Sequence, residues 1–110
     1  MIPYGRQTIT DDDIAAVVAV LRSDFLTQGP AIEAFEKRFA ERVGAQHAIA
    51  VSSATAALHL AMRVAGINEG DRVVTSPVTF LASANAAAFV GAIPDFQDID
   101  PVSYTLDPQG

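Results

Sequence analysis

The chain has 110 residues, half of them hydrophobic and 18% charged, with a net charge of −6. That acidic balance argues against a nucleic-acid surface, which needs clustered Lys and Arg, and the absence of cysteine excludes disulfides, thiolate metal sites and cysteine nucleophiles. Two histidines, with no local His/carboxylate cluster at ligand spacing, argue against a metal site.

No apolar run approaches the ~18 residues of a membrane span, and Met1–Gly5 lacks the basic and apolar regions of a signal peptide. A soluble, cytoplasmic protein of one domain at most is the expectation. The composition is apolar for a free-standing domain of this size, so surface buried against a partner subunit or a further stretch of chain is expected.

Ile2 to Ile9 reads as an irregular or extended arm. Thr10 then caps a first helix whose opening turn, Asp11-Asp12-Asp13, complements the helix dipole. Ile14, Val17, Val18 and Leu21 fall at i, i+3, i+4 and i+7, which predicts one buried stripe. Phe25 to Pro30 is a loop, with Pro30 suited to the first position of the next helix. Phe25 and Leu26 in a loop read as core plugs. The second helix, Ala31 to Val43, should bury Ile32, Phe35, Phe39 and Val43 while Glu33, Glu36, Lys37, Glu41 and Arg42 face solvent. Gly44 ends it as a C-cap.

His47 to Val51 is a short apolar run that fits a strand covered on both faces. Ser52-Ser53-Ala54-Thr55 follows directly and opens a third helix ending at Gly66. The first backbone N–H groups of such a helix lack intrahelical partners and carry the positive end of the dipole. Small side chains let an anion such as phosphate approach them, although the same Ser and Thr also suit a plain N-cap. Asn68 to Asp71 is a turn, Arg72 to Ser76 a second strand stopped by Pro77, and Leu81 to Val90 a helix ended by Gly91. Ala92 to Ile99 is a third strand, broken by Asp100-Pro101, and the tail has little periodicity.

The order α-α-β-α-β-α-β predicts an α/β fold with parallel strands joined by right-handed crossovers. Ligands of such sheets gather beyond the carboxyl ends of the strands. Ser52–Thr55, Ser76–Phe80 and Asp98–Asp100 leave strand ends there, offering a phosphate cradle, an aromatic ring and carboxylates. That set fits a flat, phosphorylated ligand. Neither Gly-x-Gly-x-x-Gly nor Gly-x-x-x-x-Gly-Lys-Ser/Thr occurs, so dinucleotide and P-loop folds lack their usual support.

Five segments in order carry a family likeness: Arg6-Gln7-Thr8-Ile9, Leu26 to Pro30, Ser53 to Leu58, Thr79-Phe80 with Ala82 to Asn85, and Asp98 to Pro101. Through them the chain resembles the N-terminal part of the DegT/DnrJ/EryC1/StrS sugar aminotransferases, which use pyridoxal 5′-phosphate. Arg22 to Pro30 is similar to the branch of that family serving pseudaminic acid biosynthesis. The resemblance implies part of the large domain of a fold type I aminotransferase, dimeric, with active sites at the subunit interface. It implies transfer of an amino group, usually from glutamate, to C4 of a UDP-4-keto-6-deoxy-N-acetylhexosamine. Residues 1–30 would supply an arm, a helix and a substrate loop, and 31–110 part of the cofactor-binding domain. The amides of Ala54 and Thr55 would hold the cofactor phosphate and Phe80 would stack on its ring. Tyr4, Asp24, Phe25, Leu26, Thr27 and Ala54 would line the nucleotide-sugar site.

Pyridoxal phosphate also needs a lysine for its covalent link and an acid for the pyridine nitrogen. The one lysine, Lys37, lies among glutamates on the second helix. The family's lysine and aspartate would fall beyond residue 110. The expectation is an N-terminal fragment, inert alone, with half of a cofactor site and no catalytic residue. The alternative from another class is a small α/β module that binds a phosphorylated ligand or serves assembly without chemistry. His59, inside a helix, is expected to pack, and His47 has no assigned role.

Overall fold

Thr10 opens the first helix because its hydroxyl and the Asp13 carboxylate close a reciprocal cap: Asp13 N–H donates to Thr10 Oγ1 at 3.3 Å and Thr10 N–H to Asp13 Oδ2 at 2.8 Å. In the computed structural model, which describes residues 5–107, this helix is α1, Asp11–Leu21. It is followed by α2 (Pro30–Val43), α3 (Ala54–Val64), β1 (Arg72–Thr75), α4 (Ala82–Ala88) and β2 (Ile93–Phe96). The chain forms two units, Met1–Ala50 and Val51–Gly110.

In the N-terminal unit, Pro30 stands at the start of α2 and Gly44 ends it at φ 70, the left-handed conformation expected of a glycine C-cap. The predicted stripes are present, but they are not buried. Ile14, Val17 and Leu21 on α1, and Ile32, Phe35, Phe39 and Val43 on α2, are all exposed. Phe35 and Phe39 pack ring against ring, with centroids 5.8 Å apart. Phe25 and Leu26 are exposed as well and plug no core. Periodicity identifies the face that seeks cover, and within this unit Ala40 is the buried hydrophobic residue among those described.

His47 to Val51 does not form the predicted strand. A strand exists only through a partner's ladder, and no described segment pairs with it. It is tied down instead by Glu36, whose Oε1 accepts the Ala50 N–H at 2.7 Å. Glu36 is therefore half-buried and engaged, where sequence placed it on a solvated face.

The C-terminal unit is a layered βαβ piece. β1 and β2 pair in parallel, Arg72 opposite Ile93 through Thr75 opposite Phe96, with α4 between them in sequence and packed on both, as well as on α3. Parallel pairing obliges the chain to cross over, and α4 is the crossover. Both elements are shorter than predicted: α4 stops at Ala88 and β2 covers Ile93–Phe96. The core sits here. Ala82, Ala86, Ala87, Val90 and Ala92 are buried, and Met62, Ile67 and Val73 pack against Ala87, Val90 and Ala92. Alanines let backbones approach closely, but each buried methyl contributes only about 0.8 kcal/mol. Beyond β2, the tail forms an antiparallel bridge between Ile99 and Leu106. No helix among the described residues is long and apolar enough to cross a membrane.

Candidate functional site

The start of α3 offers a group of backbone donors. Ser53 is the N-cap, and its hydroxyl accepts the Ala56 N–H at 3.2 Å while its carbonyl accepts that of Ala57 at 3.0 Å. The N–H groups of Ala54 and Thr55 precede the first intrahelical acceptor and have no partner among the described residues. Electrostatics separates this terminus from the two before it. α1 carries three aspartates in its first turn and α2 carries Glu33, whereas α3 carries no acid there. Its dipole therefore meets no carboxylate of its own turn, and an anion is the complementary charge.

At the carboxyl end of β1, Ser76 accepts the Val78 N–H on its hydroxyl at 3.1 Å. Thr79 Oγ1 and Ser83 Oγ lie 3.2 Å apart, and Ser83 N–H donates to the Phe80 carbonyl at 3.0 Å. Between these hydroxyls Phe80 presents its ring with 78% exposure. An aromatic face so open has most of its apolar area available to a planar ligand. No hydrogen bond or ion pair joins Ser52–Thr55 to Ser76–Phe80 among the described residues.

The third segment, after β2, serves its own turn. Gln97 N–H donates to Thr75 O at 3.0 Å and extends the β1–β2 pairing by one bond. Asp100 Oδ1 accepts from Ser103 N–H at 2.7 Å, Ser103 Oγ at 2.9 Å and Val102 N–H at 3.0 Å. The Ser103 backbone bond first, then its hydroxyl and Val102, hold the Asp100 carboxyl below the ordinary carboxylate range. Asp98 Oδ1 accepts the N–H of Ile99 at 2.7 Å. Carboxylates predicted to face a ligand thus organise a turn.

In the N-terminal unit, Asp24, Phe25, Leu26 and Thr27 form an exposed loop between α1 and α2. Leu26 borders a shallow apolar hollow with Val17, Val20 and Leu21, while Phe25 borders another with Gln28 and Ile32. Tyr4 lies outside the described residues. Lys37 is exposed on α2, bordering a hollow it shares with Glu33, Glu36 and Glu41. His59 packs its ring on Phe89, centroids 5.5 Å apart, so its part is structural. Sequence reasoning quoted Thr79 and Ser83 within a family segment but gave them no role, although two hydroxyls at i and i+4 around an aromatic were visible. It also passed over the hydrogen bonds of Ser23 to the loop, for which the spacing offered no signal.

Residues 7–110 match the DegT/DnrJ/EryC1/StrS aminotransferase family. The chain is 47% identical over 107 residues to the spore coat polysaccharide biosynthesis protein SpsC of Bacillus subtilis, covering 97% of this chain and 28% of that protein. It is 42% identical over 106 residues to the UDP-4-amino-4-deoxy-L-arabinose–oxoglutarate aminotransferase of Shewanella sediminis, covering 96% of this chain and 27% of that enzyme. Among solved structures it is similar to Spr1654 of Streptococcus pneumoniae, known in PLP and PMP forms, with 35% identity and a TM-score of 0.88 over 96% of this chain and 27% of that one. The chain therefore spans under a third of the length of these relatives. With a mixed α/β structure that matches part of the aminotransferase fold and a family match running through all but its first six residues, the chain belongs to the DegT/DnrJ/EryC1/StrS aminotransferase family.

Proposed function

We propose that these residues are the N-terminal portion of a pyridoxal-phosphate-dependent aminotransferase acting on a nucleotide-linked sugar. The observation that carries this reading is the α3 terminus, where the Ala54 and Thr55 amides stand unpartnered in a turn free of acid. Those donors fit a phosphate, and the exposed Phe80 ring fits the face of a pyridine. When bound, pyridoxal phosphate supplies the electron sink through which an amino group passes from donor to acceptor. The residues of this chain would bind and orient it: the Ala54 and Thr55 amides would hold the phosphate, Phe80 would stack on the ring, and Ser53 caps the helix start. Lys37, exposed among glutamates, belongs to none of these tasks, so the covalent lysine and the acid for the ring nitrogen are assigned to sequence beyond residue 110.

Tyr4, Asp24, Phe25, Leu26, Thr27 and Ala54 are proposed to line the sugar-nucleotide site. The likeness to an aminotransferase named for a UDP-linked sugar and oxoglutarate supports UDP as the nucleotide. It also supports glutamate as donor, since oxoglutarate is what glutamate becomes on losing its amino group. The resemblance of Arg22 to Pro30 points to C4 of a UDP-4-keto-6-deoxy-N-acetylhexosamine and to pseudaminic acid biosynthesis. A cytoplasmic homodimer is the proposed assembly, with 1–30 as arm and substrate loop and 31–110 as part of the cofactor domain.

Borohydride reduction of the longer protein loaded with pyridoxal phosphate, followed by peptide mapping, tests the assignment. The cofactor is expected on a lysine beyond residue 110, and residues 1–110 alone should retain none and aminate no sugar. Label on Lys37, or turnover by the 110-residue chain, would overturn the reading.

A further inference from the structure

We infer that Ser23 and Gly29 are positioning residues that set the shape of the Asp24–Thr27 loop and, through it, the fit of the sugar nucleotide. The inference rests on the proposed place of that loop in the sugar site. Ser23 Oγ lies 2.8 Å from the Val20 carbonyl and 3.1 Å from the Phe25 carbonyl, its single proton shared between them, and it accepts the Phe25 N–H at 3.3 Å. Its own N–H donates to Val20 O at 3.0 Å. One side chain thereby joins the last turn of α1 to the peptide groups on both sides of Phe25.

Gly29 closes the loop from the other end. A Cβ at this position would stand 2.6 Å from the Phe25 Cβ and 3.3 Å from its carbonyl oxygen. Any side chain there must push the two limbs of the loop apart. Gln28, just before it, already has a φ of 50, so the backbone has little freedom to absorb that displacement. Phe25 and Leu26 are 59% and 64% exposed. Without a core beneath it, the loop takes its shape from the Ser23 hydroxyl and the missing Cβ of Gly29. Both features leave the side chains of Asp24 to Thr27 free while fixing the backbone that carries them, an economical way to preorganise a binding loop.

The test uses the full-length, cofactor-loaded protein and UDP-N-acetylglucosamine as a probe, with affinity measured by calorimetry and the glutamate half-reaction followed separately. Ser23→Ala and Gly29→Ala are each expected to weaken probe binding roughly 3- to 10-fold, with the glutamate half-reaction unchanged and Ser23→Thr restoring affinity. The paired substitutions Asp24→Ala and Thr27→Ala report on the loop itself. If that pair weakens the probe while Ser23→Ala and Gly29→Ala do not, the positioning role is overturned and the loop keeps its place. If the pair leaves the probe unaffected, the loop falls from the sugar site and the inference falls with it. Equal losses in probe affinity and in the glutamate half-reaction, or failure of Ser23→Thr to restore binding, would mark a general structural role and overturn the proposal.

Discussion

Both units leave most of their large hydrophobic residues exposed, and they differ in where small residues build a core. In Met1–Ala50 the large apolar side chains lie along regular helical stripes and nearly all are exposed, and large ones of Val51–Gly110 such as Phe80, Phe89 and Phe96 are exposed as well. Val51–Gly110 buries alanines and one valine beneath a seven-residue helix and a two-stranded sheet, and that is where the core forms. Burial follows from having two surfaces to bring together, not from the size of the side chains offered. The stripes of α1 and α2 are half of such a pair. Alanines of α4 succeed because the crossover sets their helix against β1, β2 and α3 at once.

Substitutions can test this contrast, beginning where the effect should be greatest. Ala87 is fully buried, and Ala87→Asp should destabilise the C-terminal unit by roughly 3–5 kcal/mol, since the new charge has no partner; loss of the β1–β2 amide protection in hydrogen exchange checks it. The glycine turns come next. Gly91 has φ 79 and a Cβ there would meet Glu69 Cβ at 3.2 Å, whereas Gly44 at φ 70 has open space. Gly44→Ala should cost about 1–2 kcal/mol for its left-handed backbone alone and Gly91→Ala more than that; equal costs in denaturant melts would show that the close contact is not felt.

Ser53→Ala removes a cap at the proposed phosphate site and should cost about 1 kcal/mol, read as faster exchange of the Ala56 amide. Val17→Ala should shift the stability of residues 1–110 by less than about 0.5 kcal/mol, because Val17 is already exposed. A large loss would mean that α1 has a partner after all. The smallest effect concerns pH. The Thr10 backbone bond, then its hydroxyl, lowers the Asp13 carboxyl as the Ser103 turn lowers Asp100. A depressed folded value places both contributions fully above the ordinary carboxylate pKa of about 4, and they are lost as pH falls through the lower folded values. Carboxyl titration by NMR should show both below free aspartate, and Asp13→Asn should abolish the α1 share.

Helix positions were legible because they depend on neighbours three or four residues away: Thr10 with Asp13, Pro30, Gly44 and Ser53 all act where sequence placed them. Ala54, Thr55 and Phe80 were named through the family likeness of their segments; the local turn by itself suited a plain N-cap equally well. That His47–Val51 forms no strand was not legible, because strand formation depends on a remote ladder that apolar composition cannot supply. Glu36 illustrates the same limit: its bond to Ala50 spans 14 residues, and nothing in an amphipathic pattern marks one glutamate among several for that work. The loop architecture of Ser23 and Gly29 is short in range but depends on ångström-scale approach, which residue types alone do not encode.

The ion pair between Arg72 and Asp95, 2.6 Å long with side chains 69% and 41% exposed, crosses β1 and β2 diagonally. In such water it adds little stability, about 0–1 kcal/mol. Its consequence lies in selection among misalignments. A slip of one residue would send Asp95 to the opposite face, and a slip of two that separates the charges would strand Arg72 beside an uncharged neighbour. With four residues per strand, the side chains offer few other cues, so this pair works as an alignment mark. High ionic strength should blur the mark before it weakens the sheet.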